Sequence, residues 1–373
     1  MANTIVVGEL IFGTGYFSTG KLEVGKEKGK ETDNKKNFIH KALKKVDFLE
    51  EFESLNLLLN KYIPIPCGDI VTIKNNNEKL WLKDGTINEE LKKIFLEEII
   101  KDDNFGKLKE KLKNFSEILK RKNREIAQSL LNQGYVNVFN EDEFLKLKTA
   151  ERLIVGLGTT HVFETGLALH HLFGIPYIPS SSLKGIVRMA HFWEIVEENI
   201  KNIKEDKKDD VIKRLQEKLQ KGDIRKEQNK EFLIHMLLFG TQKFKGLLTF
   251  LDAYPMIDES NKNKIFDLDL INVHYKSYYT QNKPPGDWEN PNPVYFLTVS
   301  KGIEFHFWVL FDSYRAEKLK KYNDFENVIN ELLDNNYENL RNKLKELLED
   351  TLTLYGVGAK TRLDYGIFDG GNK

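Results

Sequence analysis

Near its C-terminus the chain reads LYGVGAKTRLDYG over residues 354–366. Two glycines, Gly356 and Gly358, precede Lys360 and Arg362, and the hydroxyl of Thr361 lies between the cations. Glycines let backbone N–H groups approach a bound group, and paired cations neutralise fixed negative charge, so the chemistry on offer is phosphate binding. A nucleotide P-loop does not fit. That motif needs G-x-x-x-x-G-K-[ST] after a strand and before a helix, whereas residue 354 is Leu and residue 359 is Ala. The elements are also inverted, with a helix before the loop and a strand after it, so no helix N-terminus faces the anion. Gly356 or Gly358 suits a left-handed helix C-cap. The other glycine, with the cations around Thr361, fits a polymer backbone laid against the loop.

A second cationic set lies in SSSLKGIVRMAHFWEIVEENI, residues 180–200. Lys184 and Arg188 are four apart, with His191 following, which places them on one face of a helix. Ser181 or Ser182 can cap that helix. Gly185 costs ~1 kcal/mol inside a helix, so a close approach by a ligand is expected there. The preceding loop is acid-poor and rich in serine, and phosphate contact is favoured over a plain surface role.

Other candidates are weaker in pattern. NVHYKSYYTQNKPPGDWENPNP (272–293) mixes His274, Tyr275, Tyr278, Tyr279 and Trp288 with Lys276 and Lys283. Aromatics beside cations suit stacking on unpaired bases, or anchoring to a neighbouring subunit. His306 and Trp308 lie opposite the apolar face of their strand, facing a polymer or packing under a helix. His161, Glu164, His170 and His171 fit no standard zinc spacing and no cysteine assists them; an extended 167–178 would point His170 and His171 to opposite faces. No metal and no other cofactor is expected. Asp252 ends a strand without a second carboxylate fixed beside it, which metal-assisted cleavage requires, so a capping or turn role is expected.

The elements that must hold these residues follow from periodicity. ERLIVGLG (151–158) reads as a short buried strand. The helix over 180–200 repeats Leu183, Ile186, Val187, Ala190 and Trp193 at helical spacing. KGLLTFLDAYP is a strand. VYFLTVSKGIEFHFWVLF is a hairpin turning at Ser300–Gly302, its second arm alternating Ile303, Phe305, Phe307, Val309 and Phe311. A helix follows with Leu340, Leu344, Leu347, Leu348 and Leu352 inward, and LDYGIF is a last strand. The order β–α–β–β–α–β is a ferredoxin-like, RRM-type arrangement, here α+β with long helical insertions and an N-terminal extension. Soft boundaries fall near residues 75 and 148. Residues 1–75 form the extension, with strands and glycine turns, a helical stretch and a hairpin at CGDIVTIKNNNEKLWLKDG; a small OB-like β unit is one form it could take. Residues 76–148 are mostly helical, and 149–373 hold the core, with a charged helical insert over 198–232 that reads as a solvated face.

The totals set limits. Lys+Arg and Asp+Glu are both 57, which argues against a generally basic nucleic-acid binder but leaves room for local basic paths. Residues 154–182 and 352–368 are nearly free of acids, and a polyanion is expected there. The single cysteine, Cys67, makes no internal disulfide and suits a reducing compartment. No apolar run approaches ~18 residues, and MANTIVVGEL carries no secretory pattern, so a cytoplasmic location without membrane contact is expected.

Five blocks in series carry a resemblance: RLIVGLGTTHVFETGLALHHLFGIPYIPSSSLKGIVR (152–188), LFGTQKFKGLLTFLDAYP (238–255), LDLINVHYKSYY (268–279), YFLTVSKGIEFHF (295–307) and LYGVGAKTRLDYG (354–366). Together they resemble the RAMP family of CRISPR-associated proteins, RRM-like proteins with a glycine-rich loop near the C-terminus, and within it the subunits of type III-B (Cmr) effector complexes. The matching blocks span roughly residues 120–368. One departure is Val273, where the family pattern has proline before the His–Tyr pair.

The resemblance implies a non-catalytic structural subunit that binds CRISPR RNA near the guide's 3′ part. Its partners would be other Cmr-type RAMP and small helical subunits, and target RNA. The cutting carboxylate would belong to another subunit. Carried onto this chain, the expected RNA contacts are Ser181, Ser182, Lys184, Arg188, His274, Tyr275, Gly356, Gly358, Lys360, Thr361 and Arg362. Two alternatives stay open. One is a Cas6-like, metal-independent nuclease that processes CRISPR RNA, with His161 or His274 as base. The other is an assembly protein that touches neighbouring subunits only.

Overall fold

The computed structural model describes residues 106–139, 144–159, 165–273, 275–286, 288, 292–322 and 325–370. Before them it describes the segments 4–8, 10–12, 17–18, 22–25, 64–66, 70–74, 77–82 and 89–101, with Leu55 and Leu59. His161, Glu164 and His274 lie outside these residues, as does most of the helix expected over 36–63. Helices combine with antiparallel sheets, an α+β fold.

The chain divides into two units that alternate along the sequence: Met1–Ser116, Ile154–Pro176 and Ile257–Ser300 in the first, Glu117–Leu153, Tyr177–Met256 and Lys301–Lys373 in the second. In the first, strands Leu22–Gly25, Thr4–Gly8, Ile70–Lys74 and Asn77–Leu82 form a sheet in that order. The last two are the expected hairpin, turning where Lys74 opposes Asn77. A three-stranded sheet joins Phe17–Ser18, Leu10–Phe12 and Pro64–Pro66. Strands Phe266–Val273 and Asn292–Val299 pair along their full length, and helix Glu89–Lys101 packs on them with Phe95, Leu96 and Ile99 buried.

The second unit holds the core that the functional reading concerns. Its main elements include β1 (Tyr135–Asn137), β2 (Leu145–Thr149), α1 (Ser180–Ile200), α2 (Glu205–Lys221), α3 (Lys230–Phe239), β3 (Leu248–Phe250), β4 (Tyr254–Pro255), β5 (Glu304–Phe307), β6 (Val309–Asp312), α4 (Glu326–Asp350) and β7 (Phe368–Asp369). Two sheets share continuous segments. One has the order β4–β5–β2–β7 and the other β3–β6–β1, all antiparallel. On one face Phe305 and Phe307 stand opposite Leu147 and Leu145, and Phe368 meets both phenylalanines edge-on. The helical side closes the core with Leu183, Val187 and Ala190 of α1 and with Leu340, Leu344, Leu347, Leu348 and Leu352, all buried as the periodicity requires.

Four expectations are corrected. The first core strand is β2, LKLKT, whose alternating buried and exposed residues show a period of two. The stretch 151–158 is buried at Leu153–Val155 but irregular, and Gly156 turns it at φ +81°. The arms around Ser300–Gly302 do not pair with each other: 292–299 joins 266–273, while β5 joins β2 and β4. Two apolar arms joined by a short turn look like a hairpin, but the ladder is decided by partners far away in the sequence. KGLLTFLDAYP is broken at 251–253 between β3 and β4. Trp193 is exposed, not inward.

The other face of the sheet is covered too. Residues from Glu117 onward in the helix Gly106–Leu131 lie over it, where Ala127 packs with Trp308 and Leu310. His306 is buried against the Phe144 ring, 4.0 Å between centroids. Trp308 therefore packs under a helix, and His306 under the Phe144 ring. The charged insert likewise has an inner side, since Leu215 and Leu219 of α2 are buried.

Candidate nucleic-acid interface

The C-terminal loop is built by backbone geometry. α4 runs into a π-helical turn, Thr351–Tyr355, and Gly356 ends it at φ +69°, its N–H donating to the Thr351 carbonyl at 3.0 Å. The chain then closes on itself: Val357 N–H donates to the Gly366 carbonyl (3.0 Å) and Gly366 N–H to the Arg152 carbonyl (2.8 Å). A Cβ at Gly366 would lie 1.9 Å from the Val357 oxygen, and one at Gly356 would meet Gly366 and Ile367. These two glycines are buried and serve the chain's own closure. Gly358, at φ +101°, is the exposed one.

The tip is a single 3₁₀ turn over Thr361–Leu363 between two left-handed residues, Lys360 and Asp364. Arg362 and Leu363 are exposed, and Lys360 and Thr361 are half-buried. The Tyr365 ring sits among cations, with Lys360 Nζ at 5.3 Å and the Arg152 guanidinium at 6.0 Å from its centroid. Such cation–ring contacts bring both charges to the loop. Arg152 was missed from sequence, because nothing local links it to a tyrosine 213 positions later.

The α1 cations are arranged differently. Lys184 Nζ donates to the Leu248 carbonyl (2.9 Å) and Arg188 Nη2 reaches the Leu219 carbonyl (3.4 Å). Burial pushes both pKa values down, and for Lys184 the nearby charges of Arg188 and Lys245 push the same way. Lys245 is exposed and was not singled out from sequence, although GTQKFKG is free of acids. His191 does not share this face. It is buried against His235 of α3, Nδ1 to Nδ1 at 2.9 Å, and burial lowers both to about 3. One ring donates and the other accepts, and the burial that lowers both pKa values favours the neutral form of each.

The helix start is also changed. Neither Ser181 nor Ser182 caps α1; both lie within its first turn, after Pro179 at the cap position. The Asp252 carboxylate accepts from Ser180 N–H at 2.7 Å, the capping role expected of it. Proline at the cap offers no side-chain acceptor, so a distant carboxylate supplies one. α1 packs against the π-helical turn that leads into the loop.

In the first unit, Tyr275 is half-buried at φ +61° and begins helix Lys276–Gln281. Tyr278 and Trp288 are exposed. His170 and His171 are not on opposite faces: a turn stacks their rings at 5.2 Å.

Residues 146–369 match the model of the RAMP superfamily. The CRISPR system Cmr subunit Cmr6 of Pyrococcus furiosus is 31% identical over 358 residues, covering 85% of this chain and 95% of that relative. The chain belongs to the RAMP superfamily and, within it, to the Cmr6 subunits of type III-B CRISPR systems. The crystal structure of Cmr6 from Pyrococcus furiosus is 30% identical, covers 61% of this chain and 96% of its own, and superposes with a TM-score of 0.38. A chain of the type III-B Cmr-beta complex bound to cognate target RNA, 18% identical, covers 90% of each chain with a TM-score of 0.42. Among the described residues no helix is long and apolar enough to cross a membrane.

Proposed function

We propose that the chain is a non-catalytic, CRISPR RNA-binding structural subunit of a type III-B effector complex, placed toward the guide's 3′ part. Its partners are the guide, neighbouring Cmr-type RAMP and small helical subunits, and target RNA. Its core is ferredoxin-like. In chain order the strands of the β4–β5–β2–β7 sheet stand 2-3-1-4, with α1 after the first and α4 after the third, which supports that reading.

One observation carries the proposal: the loop turns Gly358 and Arg362 to solvent and holds Lys360 beside them, while Gly356 and Gly366 lock its base. Lys360, Arg362 and the Thr361 hydroxyl meet guide phosphates there, and Gly358 lets the ribose–phosphate chain come close. At α1, Ser181 and Ser182 line the approach. Lys184 and Arg188 supply a fixed positive field, and His274 and Tyr275 provide further contacts from the first unit.

The test is guide binding by the full chain at several salt concentrations. Lys360→Ala with Arg362→Ala should weaken binding for any guide sequence and reduce the slope of log affinity against log salt by about 1.4, from two phosphates at ~0.7 each. Wild-type affinity and slope would overturn it. A second reading, assembly without RNA contact, is favoured by Leu354 and Leu363, 72% and 66% exposed beside the loop. Crosslinking in the assembled complex separates the two: protein-only crosslinks at 354–366 support assembly. Cleavage of repeat RNA by the purified chain alone would support the nuclease instead.

A further inference from the structure

A polar cleft of about 430 Å³ opens in the second unit, between the end of the helix Gly106–Leu131, β1 and the middle of α4. Gln128, Asn132, Tyr135, Asn336, Tyr337 and Arg341 line it. Its volume falls in the ~300–1,000 Å³ range of small-molecule sites. None of these residues belongs to the C-terminal loop or the α1 cluster.

The backbone under the cleft is unusual. Asn336 and Tyr337 lie consecutively at φ +54° and +68° inside a helix. Left-handed backbone is strained for residues other than glycine, and such strain persists where surroundings hold it. Arg341 holds it here, donating from Nη1 to the Asn336 carbonyl (2.9 Å) and from Nε to the Asn137 carbonyl (3.4 Å). A regular helix would carry residues 336 and 337 along the α4 axis. The distortion instead sets them into the wall of the cleft.

The lining suits one chemical class. Side-chain amides carry donors and acceptors together, matching the hydrogen-bonding edge of a base. Tyrosine rings give π-faces on which a base stacks. The guanidinium is positive beside them, and the lining carries no carboxylate to repel a phosphate. We infer that this cleft accepts one unpaired RNA base, turned out of the strand and stacked on Tyr337. The inference rests on the reading of the chain as an RNA-binding subunit, and it adds a contact to bases where the loop contacts only phosphates.

The test uses the full chain with an unpaired oligoribonucleotide carrying 4-thiouridine. After irradiation, peptide mapping should find crosslinks at Tyr337 or Tyr135 in addition to residues 354–366. Tyr337→Ala should weaken binding about 10-fold with the salt slope unchanged, and Tyr337→Phe should restore most of it. Asn132→Ala, at an exposed turn position, should weaken binding without touching the distorted helix. An oligonucleotide of abasic sites should bind wild type and Tyr337→Ala alike. Crosslinks confined to 354–366, with both alanine variants at wild-type affinity, would overturn the base site and leave the loop reading standing. No RNA binding by any form would overturn both.

Discussion

The C-terminal loop and the start of α1 look alike in sequence, each a glycine beside two cations and a hydroxyl, but the fold uses them in opposite ways. In the loop the glycines at its base are consumed by the chain's own closure and Arg362 is turned outward. In α1 the cations are turned inward onto the carbonyls of Leu248 and Leu219, while the space around Gly185 is open. Residue type and spacing propose a contact with an anion. Whether the side chain reaches solvent depends on which carbonyls lie within its reach.

The largest expected effect falls on the base of the loop. Gly366→Ala forces a Cβ against the Val357 carbonyl at a left-handed φ. Backbone atoms have little room to yield, so a loss of roughly 3 kcal/mol is expected, at the upper end of overpacking. Urea unfolding of the full chain would read this as a lower midpoint for the transition of the second unit. An unchanged midpoint would mean that the Val357–Gly366 closure is not needed for the fold.

The next effect comes from the inward side of α1. His191 and His235 are held neutral, with pKa lowered to about 3 by burial, Lys343 adding to this at His191 and His191 and Arg188 at His235. The unfolded chain titrates near 6.5. Their contribution is therefore complete above that pH and is lost as pH falls toward 3, by at most about 1.4 kcal/mol per pH unit per histidine. His191→Phe with His235→Leu should flatten stability between pH 6.5 and 4.5, above the range where most carboxylates titrate. An equal slope in wild type and double variant would show that the pair is already solvated.

Much of this contrast could be seen in the sequence, and the rest for physical reasons could not. The leucine row of α4 and the inward residues Leu183, Val187 and Ala190 repeat at helical spacing, a local signal. The alternating residues 303–311 were legible as a strand, but both of its faces are buried, which alternation alone conceals. Which strands pair, that 117–131 covers Trp308, that His191 meets His235 and that Arg152 meets Tyr365 are all contacts across tens to hundreds of residues. No period in the chain encodes them. The distorted stretch at Asn336–Tyr337 also lacks a glycine to announce it.

A smaller effect separates the two sets of cations. Lys184→Ala removes the donor to Leu248 and a half-buried stem, and should cost about 1 kcal/mol of stability. Arg362→Ala, at an exposed tip, should leave stability within ~0.5 kcal/mol of wild type and act on guide affinity alone. Thermal unfolding and guide titration of both variants would sharpen the contrast. The reverse pattern would exchange the roles of the two regions.

The smallest effect bears on why Gly185 is there at all. A Cβ at this exposed helical position meets nothing within 4 Å, and alanine restricts the unfolded backbone more than glycine does. Gly185→Ala should therefore stabilise the chain by ~0.5–1 kcal/mol, visible as a higher urea midpoint. If α1 serves only as packing, guide affinity stays the same. If the strand runs along Ser181 and Gly185 under the field of Lys184 and Arg188, the added methyl lowers guide affinity while raising stability. Opposite signs from a single methyl would mark a glycine kept for a ligand rather than for the fold, in contrast to Gly366, where a methyl harms the fold first.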